Sequence, residues 1–172
     1  KPINIYGLTK LKGEKSVHKS HKCSIVLRTN FVGWDFQHRD KFLDKIFKNL
    51  SLNKKVKISK NIFFNPVTTY ELSDAIEKII FEDFKKNDLF HISSSFKISK
   101  YDFVKKLARK MNYNTNLVEP YFYNIHRTKI KRPEKMVLNN KKYSLKYGYK
   151  FKSLSQQIAF LIKEYQARVI PY

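Results

Sequence analysis

Lys1-Pro2-Ile3-Asn4-Ile5-Tyr6-Gly7-Leu8-Thr9-Lys10-Leu11-Lys12-Gly13-Glu14-Lys15 opens the chain and carries its most specific signal. The stretch reads as the start of a helix, in which residues four apart share a face about 6 Å apart. Lys10 then stands next to Tyr6. A phenol in water has a pKa of about 10 and is a poor acid at neutral pH. A neighbouring cation favours the phenolate, and a tyrosine tuned in this way can exchange a proton with a carbonyl or alcohol oxygen. That is the proton half of a hydride-transfer reaction. Alone, the Tyr-x-x-x-Lys spacing is weak, because a chain with 11 Tyr and 30 Lys produces it by chance. The flanks lengthen the pattern: Pro2 before the helix, Asn4 near its cap, Gly7 after the tyrosine and Gly13-Glu14 after the lysine.

Working outward from this stretch, helices and strands alternate. Residues 3–20 read as a helix with Tyr6, Lys10 and Glu14 along one side. Cys23 begins an apolar strand pattern over 23–29, and a loop with Gly33 and Trp34 follows over 30–37. Apolar residues at Phe42, Leu43, Ile46, Phe47 and Leu50 predict a helix over 38–50. Val56 and Ile58 alternate with lysines as a short strand, and Ile62-Phe63-Phe64 forms another that ends at Pro66. Thr68 or Thr69 caps a helix over 70–84 whose apolar face includes Leu72, Ile76, Ile79 and Ile80. Leu89–Ile92 is a strand, and Ser99 caps a helix over 100–111 with Phe103, Val104, Leu107 and Met111 inward. Residues 112–137 read as irregular, followed by short helices near 140–147 and 154–166. This βα alternation predicts an α/β fold with a partly parallel sheet.

Composition narrows the function classes. At 172 residues one domain is the default, and such a chain buries about 70% of its unfolded surface. A hydrophobic content of 42%, with 14 Phe and 11 Tyr, supplies a core. No apolar run approaches the length of a membrane span. The single Cys23 excludes an internal disulfide, reads as a small buried residue and fits a reducing cytoplasm. His18 and His21 lack acidic or cysteine partners, so no metal site is expected. The net charge of +22 invites a nucleic-acid reading. Thirty of the 36 basic residues are lysines spread along the whole chain, and only six are arginines, whose planar fork dominates base and phosphate recognition. The charge therefore reads as a compositional bias rather than a nucleic-acid patch.

Residues 1–15 resemble the active-site helix of the extended short-chain dehydrogenase/reductase family, most of all its dTDP-4-dehydrorhamnose reductase branch. There the pattern runs close to Pro-x-Asn-x-Tyr-Gly-x-Thr-Lys-x-x-Gly-Glu. The likeness continues through Leu27–Gly33, Phe63–Val67, Leu72–Ile76, Phe90–Ser93, Ile98–Phe103, Arg132-Pro133 and Leu138-Asn139, and so spans most of the chain. It implies the C-terminal portion of a Rossmann-type NAD(P)-binding fold with a small α/β substrate-binding domain, residues 1–172 forming a single unit. The family's glycine-rich dinucleotide fingerprint is missing, since Gly7, Gly13, Gly33 and Gly148 are too far apart to form it. In the family that fingerprint precedes the tyrosine helix, as does a Ser or Thr that polarises the carbonyl. The expectation is therefore the C-terminal half of a longer enzyme, or the product of a shortened gene, inactive alone. NADP or NAD would be bound mainly by the other half.

The resemblance also implies roles. Tyr6 would donate the proton to a sugar ketone, and Lys10 would tune it and bind the nicotinamide ribose. Asn30 would lie beside the nicotinamide and Phe31 beside the sugar, and Arg132 would clamp the diphosphate of a nucleotide-sugar substrate. Plainer readings stand beside these: Tyr6 as a core aromatic, Lys10 as a solvated charge, Asn30-Phe31 as a turn and Arg132 as a surface charge. His91 reads as a satisfied core histidine and Asn65-Pro66 as a structural turn. Three function classes stay open: a 4-keto sugar nucleotide reductase, a related epimerase or dehydratase, and a non-enzymatic basic binding module. The oligomeric state is not readable.

Overall fold

A computed structural model describes residues 2–35, 37, 41–81, 86–128 and 131–169. The first element, α1 (Ile5–Ser20), begins where Asn4 turns extended and its side-chain oxygen accepts from the Gly7 N–H at 2.8 Å. That is an N-cap, and it places Ile3 and Asn4 before the helix rather than within it. The strand β1 (Ile25–Thr29) follows, then β2 (Phe31–Val32), inside the segment read as loop. Next come α2 (Phe42–Ser51), β3 (Val56–Ser59), β4 (Phe63–Phe64), β5 (Val67–Thr68) and α3 (Thr69–Ile80). The expected helical residues 38–40 and 82–84 lie outside the described residues. Then follow β6 (Asp88–Ile92), β7 (Ile98–Ser99) and α4 (Lys100–Lys110). Last are β8 (Val118–Tyr121), β9 (Lys135–Met136), α5 (Lys141–Tyr147) and α6 (Leu154–Val169).

Parallel pairing dominates, as the βα alternation required. β1 runs beside β6 from Ile25 opposite Asp88 to Thr29 opposite Ile92. β2 pairs with β5 and β3 with β8, both parallel. β4 lies between antiparallel β7 and parallel β9. The stretch 112–137, expected to be irregular, thus contributes two strands and two 3-10 turns. Its strands are short and one contains Pro120, so periodicity does not announce them; pairing with β3 and β4 makes them.

Two cores result. One gathers Phe47 and Leu43 of α2, Phe103 and Leu107 of α4, and Leu161 of α6 over β3, β4 and β8. The Trp34 indole N–H donates to the Leu161 carbonyl at 2.8 Å, which satisfies the one polar atom that ring brings inside. The other gathers Val67, Ala75, Ile79, Phe90, Ile92, Tyr143 and Phe151 around β6, α3 and α5. Thr68 and Ser99 cap α3 and α4 by accepting from Glu71 and Asp102 N–H groups. The α3 face differs from the expected stripe. Ile80 is exposed, Ile76 is at the surface, and Glu71 and Ala75 are buried instead. Glu71 is admitted because its carboxylate accepts from the Lys152 N–H and from the buried Gln157 amide, whose own oxygen accepts from the Thr68 N–H. Cys23 is exposed, a correction to its reading as a buried strand start: β1 begins only at Ile25, and Cys23 lies in the bend before it.

α1 is the exception among the long helices, with no buried residue. Tethers hold it in place of a core. The Arg28 guanidinium grips Glu14 with two N–H···O contacts of 2.8 and 2.6 Å. His18 contacts the Ser24 hydroxyl at 2.8 Å, and the Asn87 amide donates to the His18 carbonyl. Among the described residues no helix is long and apolar enough to cross a membrane.

Candidate active site

The cap of α1 does more than start the helix. The Asn4 amide donates to the Lys131 carbonyl at 2.7 Å, across 127 positions of sequence. This bond sets the first turn of α1 against the segment that carries Arg132 and Pro133. A hollow of about 590 Å³ lies between them, lined by Asn4, Tyr6, Gly7, Ile62, Lys100, Arg132, Pro133 and Met136 among others. Tyr6 and Arg132, more than 120 residues apart, therefore face one space. Tyr6 is 71% exposed, which rules out the core-aromatic reading. Lys10 follows one turn later, with its Nζ 5.6 Å from the centre of the Tyr6 ring. Arg132 is exposed, and its backbone N–H donates to the Tyr123 hydroxyl at 2.8 Å.

A second hollow, of about 740 Å³, adjoins the first. Asn30, Phe31, Gly33, Trp34, Phe42 and Phe64 line it, and Lys100 and Met136 line both. It lies at the carboxyl end of β1, where ligands of open α/β sheets collect. Phe31 is 59% exposed and presents its ring to this space. Asn30 is fixed differently. Its amide nitrogen donates to the Met136 carbonyl and reaches the Asn65 side chain at 3.3 Å, while its backbone carbonyl accepts from Val67. Gly33 is required here, because a Cβ at that position would stand 2.8 Å from the Thr69 methyl at the start of α3.

Two residues with larger parts than the sequence suggested stand behind the site. Asn65 is buried, and its amide nitrogen reaches the Ser93 hydroxyl and the Ser94 and Leu138 carbonyls, while its oxygen accepts from the Leu138 N–H. The structural turn expected at Asn65-Pro66 is thus a hub joining β4, the end of β6 and the tail. Lys100, absent from the sequence candidates, sits half-buried at the first position of α4 with its Nζ 5.1 Å from the Phe42 ring centre. Burial holds its ammonium below the ordinary lysine pKa, and the Arg132 charge adds to that. Nothing in residues 97–103 marked Lys100 beyond a helix start, because its setting comes from distant segments.

His91 is only partly the satisfied core histidine expected. It is half-buried, with Nδ1 3.2 Å from the Asn139 carbonyl, but Nε2 is buried with no hydrogen-bond partner among the described residues. Glu14 is held below the usual carboxylate range by the Arg28 hydrogen bonds and charge, against an opposing effect of burial. No group of three or more His, Cys, Asp or Glu side chains comes together among the described residues. No glycine makes a cradle for a pyrophosphate: Gly7 and Gly13 are within α1, Gly33 packs on Thr69, and Gly148 (φ +58°) ends α5. Of the residues expected at a nicotinamide, Tyr6 and Lys10 stand on α1, with Tyr6 in the first hollow, and Asn30 lines the second.

Solved structures share this fold. dTDP-4-dehydrorhamnose reductase from Bacillus anthracis str. Ames, in complex with NADP, superposes with a TM-score of 0.84 at 21% identity, over 95% of this chain and 57% of that one. dTDP-4-dehydrorhamnose reductase from Yersinia enterocolitica gives 0.77 at 20% identity, over 96% and 58%. dTDP-glucose 4,6-dehydratase from Bacillus anthracis str. Ames, in complex with NAD, gives 0.74 at 13% identity, over 97% and 53%. The chain thus spans somewhat more than half the length of these structures. No curated protein sequence matches it. The family model described as RmlD substrate binding domain matches residues 1–167, and the chain, with its α/β fold of the extended short-chain dehydrogenase/reductase type, belongs to that family.

Proposed function

We propose that this chain is the catalytic-helix and substrate-binding part of an NAD(P)H-dependent reductase of a nucleotide-linked 4-keto sugar, working as one α/β unit in a reducing cytoplasm. The observation that carries the reading is the common hollow of Tyr6 and Arg132, closed by the Asn4 bond to the Lys131 carbonyl. Tyr6 would give a proton to the ketone oxygen, and Lys10 stands one turn away with its Nζ 5.6 Å from the Tyr6 ring centre. Lys10 and the Asn30 side chain would hold the nicotinamide ribose and amide. When bound, a reduced nicotinamide supplies the hydride. Phe31 offers its ring to the sugar, and Arg132 offers a planar fork to the diphosphate. Most of the cofactor would be held by sequence outside these 172 residues. The family match favours the reductase over an epimerase or dehydratase, which share the fold.

The test is turnover of a nucleotide-linked 4-keto sugar by the protein that carries this sequence together with a dinucleotide-binding half. Tyr6→Phe should cut turnover by about 10²-fold or more while leaving the fold intact, as expected for a lost positioned acid. Lys10→Met should lower turnover and weaken cofactor binding together. Unchanged turnover in Tyr6→Phe would sink the proposed role.

A further inference from the structure

Three hollows meet at Lys100. It lines the Tyr6 hollow, the Phe31 hollow and a third of about 530 Å³, and shares the first and third with Arg132. Its placement is built by distant segments: the Ser99 cap starts α4, and the Lys100 backbone N–H donates to the Ile62 carbonyl at 3.0 Å. Its Nζ stands 5.1 Å from the centre of the Phe42 ring. Among the described residues no carboxylate pairs with this ammonium or with the Arg132 guanidinium. The charge acting on Lys100 is that of another cation, Arg132. A cation over an aromatic ring is found at surface lysines as well. A half-buried ammonium that shares two hollows with an arginine and pairs with no described carboxylate is less ordinary, because each cation raises the cost of the other. An anion in the hollow removes that cost.

We propose that Lys100 is the inner cation of the substrate's diphosphate site, gripping one phosphate as a point charge while the Arg132 fork takes the other from the rim. This rests on the sugar-nucleotide reading, since a nucleotide-linked sugar is what brings a diphosphate here. It adds a binding residue between the Tyr6 and Phe31 hollows. The diphosphate would span the junction, and its position would set how far the sugar reaches toward Tyr6.

Calorimetric titration of the chain with inorganic pyrophosphate and with thymidine diphosphate, at about 0.15 M salt to screen the general positive charge, tests this. Lys100→Met should weaken both ligands about tenfold or more, as for loss of a charge-assisted contact. Lys100→Arg should recover most of the loss. Lys48→Met, an exposed lysine of α2, should change neither affinity. A second measurement needs no variant: pyrophosphate should protect Lys100 from acetylation, read by mass spectrometry, while leaving Lys48 reactive. Equal affinities for wild type and Lys100→Met, equal losses for Lys48→Met, no binding by the wild type, or an unprotected Lys100 would each overturn the proposal. The two readings can fail separately. Pyrophosphate held through Lys100 by a protein that never reduces a 4-keto sugar would leave the anion site standing and remove the reductase. Reduction with an unchanged KM in Lys100→Met would do the reverse.

Discussion

At the scale of single residues, burial and partners separate Arg132 from the other positive charges. It is one of six arginines among 36 basic residues, exposed, and fixed at its backbone by Tyr123. If it clamps a diphosphate, the contact is short and charge-assisted, worth roughly 1.5–3 kcal/mol. Arg132→Ala in the complete enzyme should raise the substrate KM by about tenfold or more and leave cofactor affinity nearly unchanged. Arg132→Lys should rescue only part, because an ammonium cannot reproduce the fork. Steady-state kinetics with cofactor and sugar nucleotide varied separately decides it, and equal KM values would remove the clamp. The residue scale is also where reading from sequence was weakest. Lys100 looks like any lysine, and its burial is set by residues far away in the chain; Cys23 looks like a small core residue but lies exposed in the bend before β1.

Among the elements, α1 shows how a helix can be positioned without a core face. Its exposed Ile5, Tyr6, Leu8 and Val17 contribute little burial, so polar tethers fix its orientation. The Glu14–Arg28 pair is the strongest of them by geometry, with the Arg28 side chain 41% exposed and Glu14 17% exposed. Arg28 holds the Glu14 carboxyl below its ordinary value of 4.5. A depressed carboxylate pKa stabilises the fold above the unfolded value, and that stability is lost as pH falls through the lower folded value. Glu14→Gln should therefore melt below wild type at pH 7, and the gap should close as the pH is taken down through the carboxylate range. Thermal melts by circular dichroism across that range check this. A gap of constant size at every pH would mean that the tether works through packing rather than charge. Because Tyr6 rides on α1, the same variant should lower turnover before it lowers secondary structure.

For the molecule as a whole, the question is which part of a dinucleotide this chain can hold. In a Rossmann-type fold the pyrophosphate of a dinucleotide is held at a glycine-rich turn before a helix N-terminus, where backbone N–H groups approach the oxygens. The four glycines are used elsewhere, at α1, against Thr69 and at the end of α5. The 172-residue chain by itself should bind NADH or NADPH no better than about millimolar. Calorimetry showing micromolar binding would overturn this and would mean that another surface of the fold serves as the cofactor cradle.

Local chemistry by itself determined a good deal. The Tyr6–Lys10 spacing, the Asn4, Thr68 and Ser99 caps, the α2 and α4 apolar stripes and the βα alternation are all short-range patterns, and the structure follows them. Only the tertiary structure decided the rest. β8 and β9 exist because β3 and β4 offer edges to pair with, and strands of four and two residues, the first broken by Pro120, have no periodicity of their own to read. Glu71 is buried because Gln157 and Lys152, more than 80 positions away, satisfy it. The site is a juxtaposition of Tyr6, Lys100 and Arg132 made by the Asn4–Lys131 and Lys100–Ile62 hydrogen bonds. Periodicity reports which side of an element faces inward, whereas the partner that meets it is chosen by packing between segments remote in sequence.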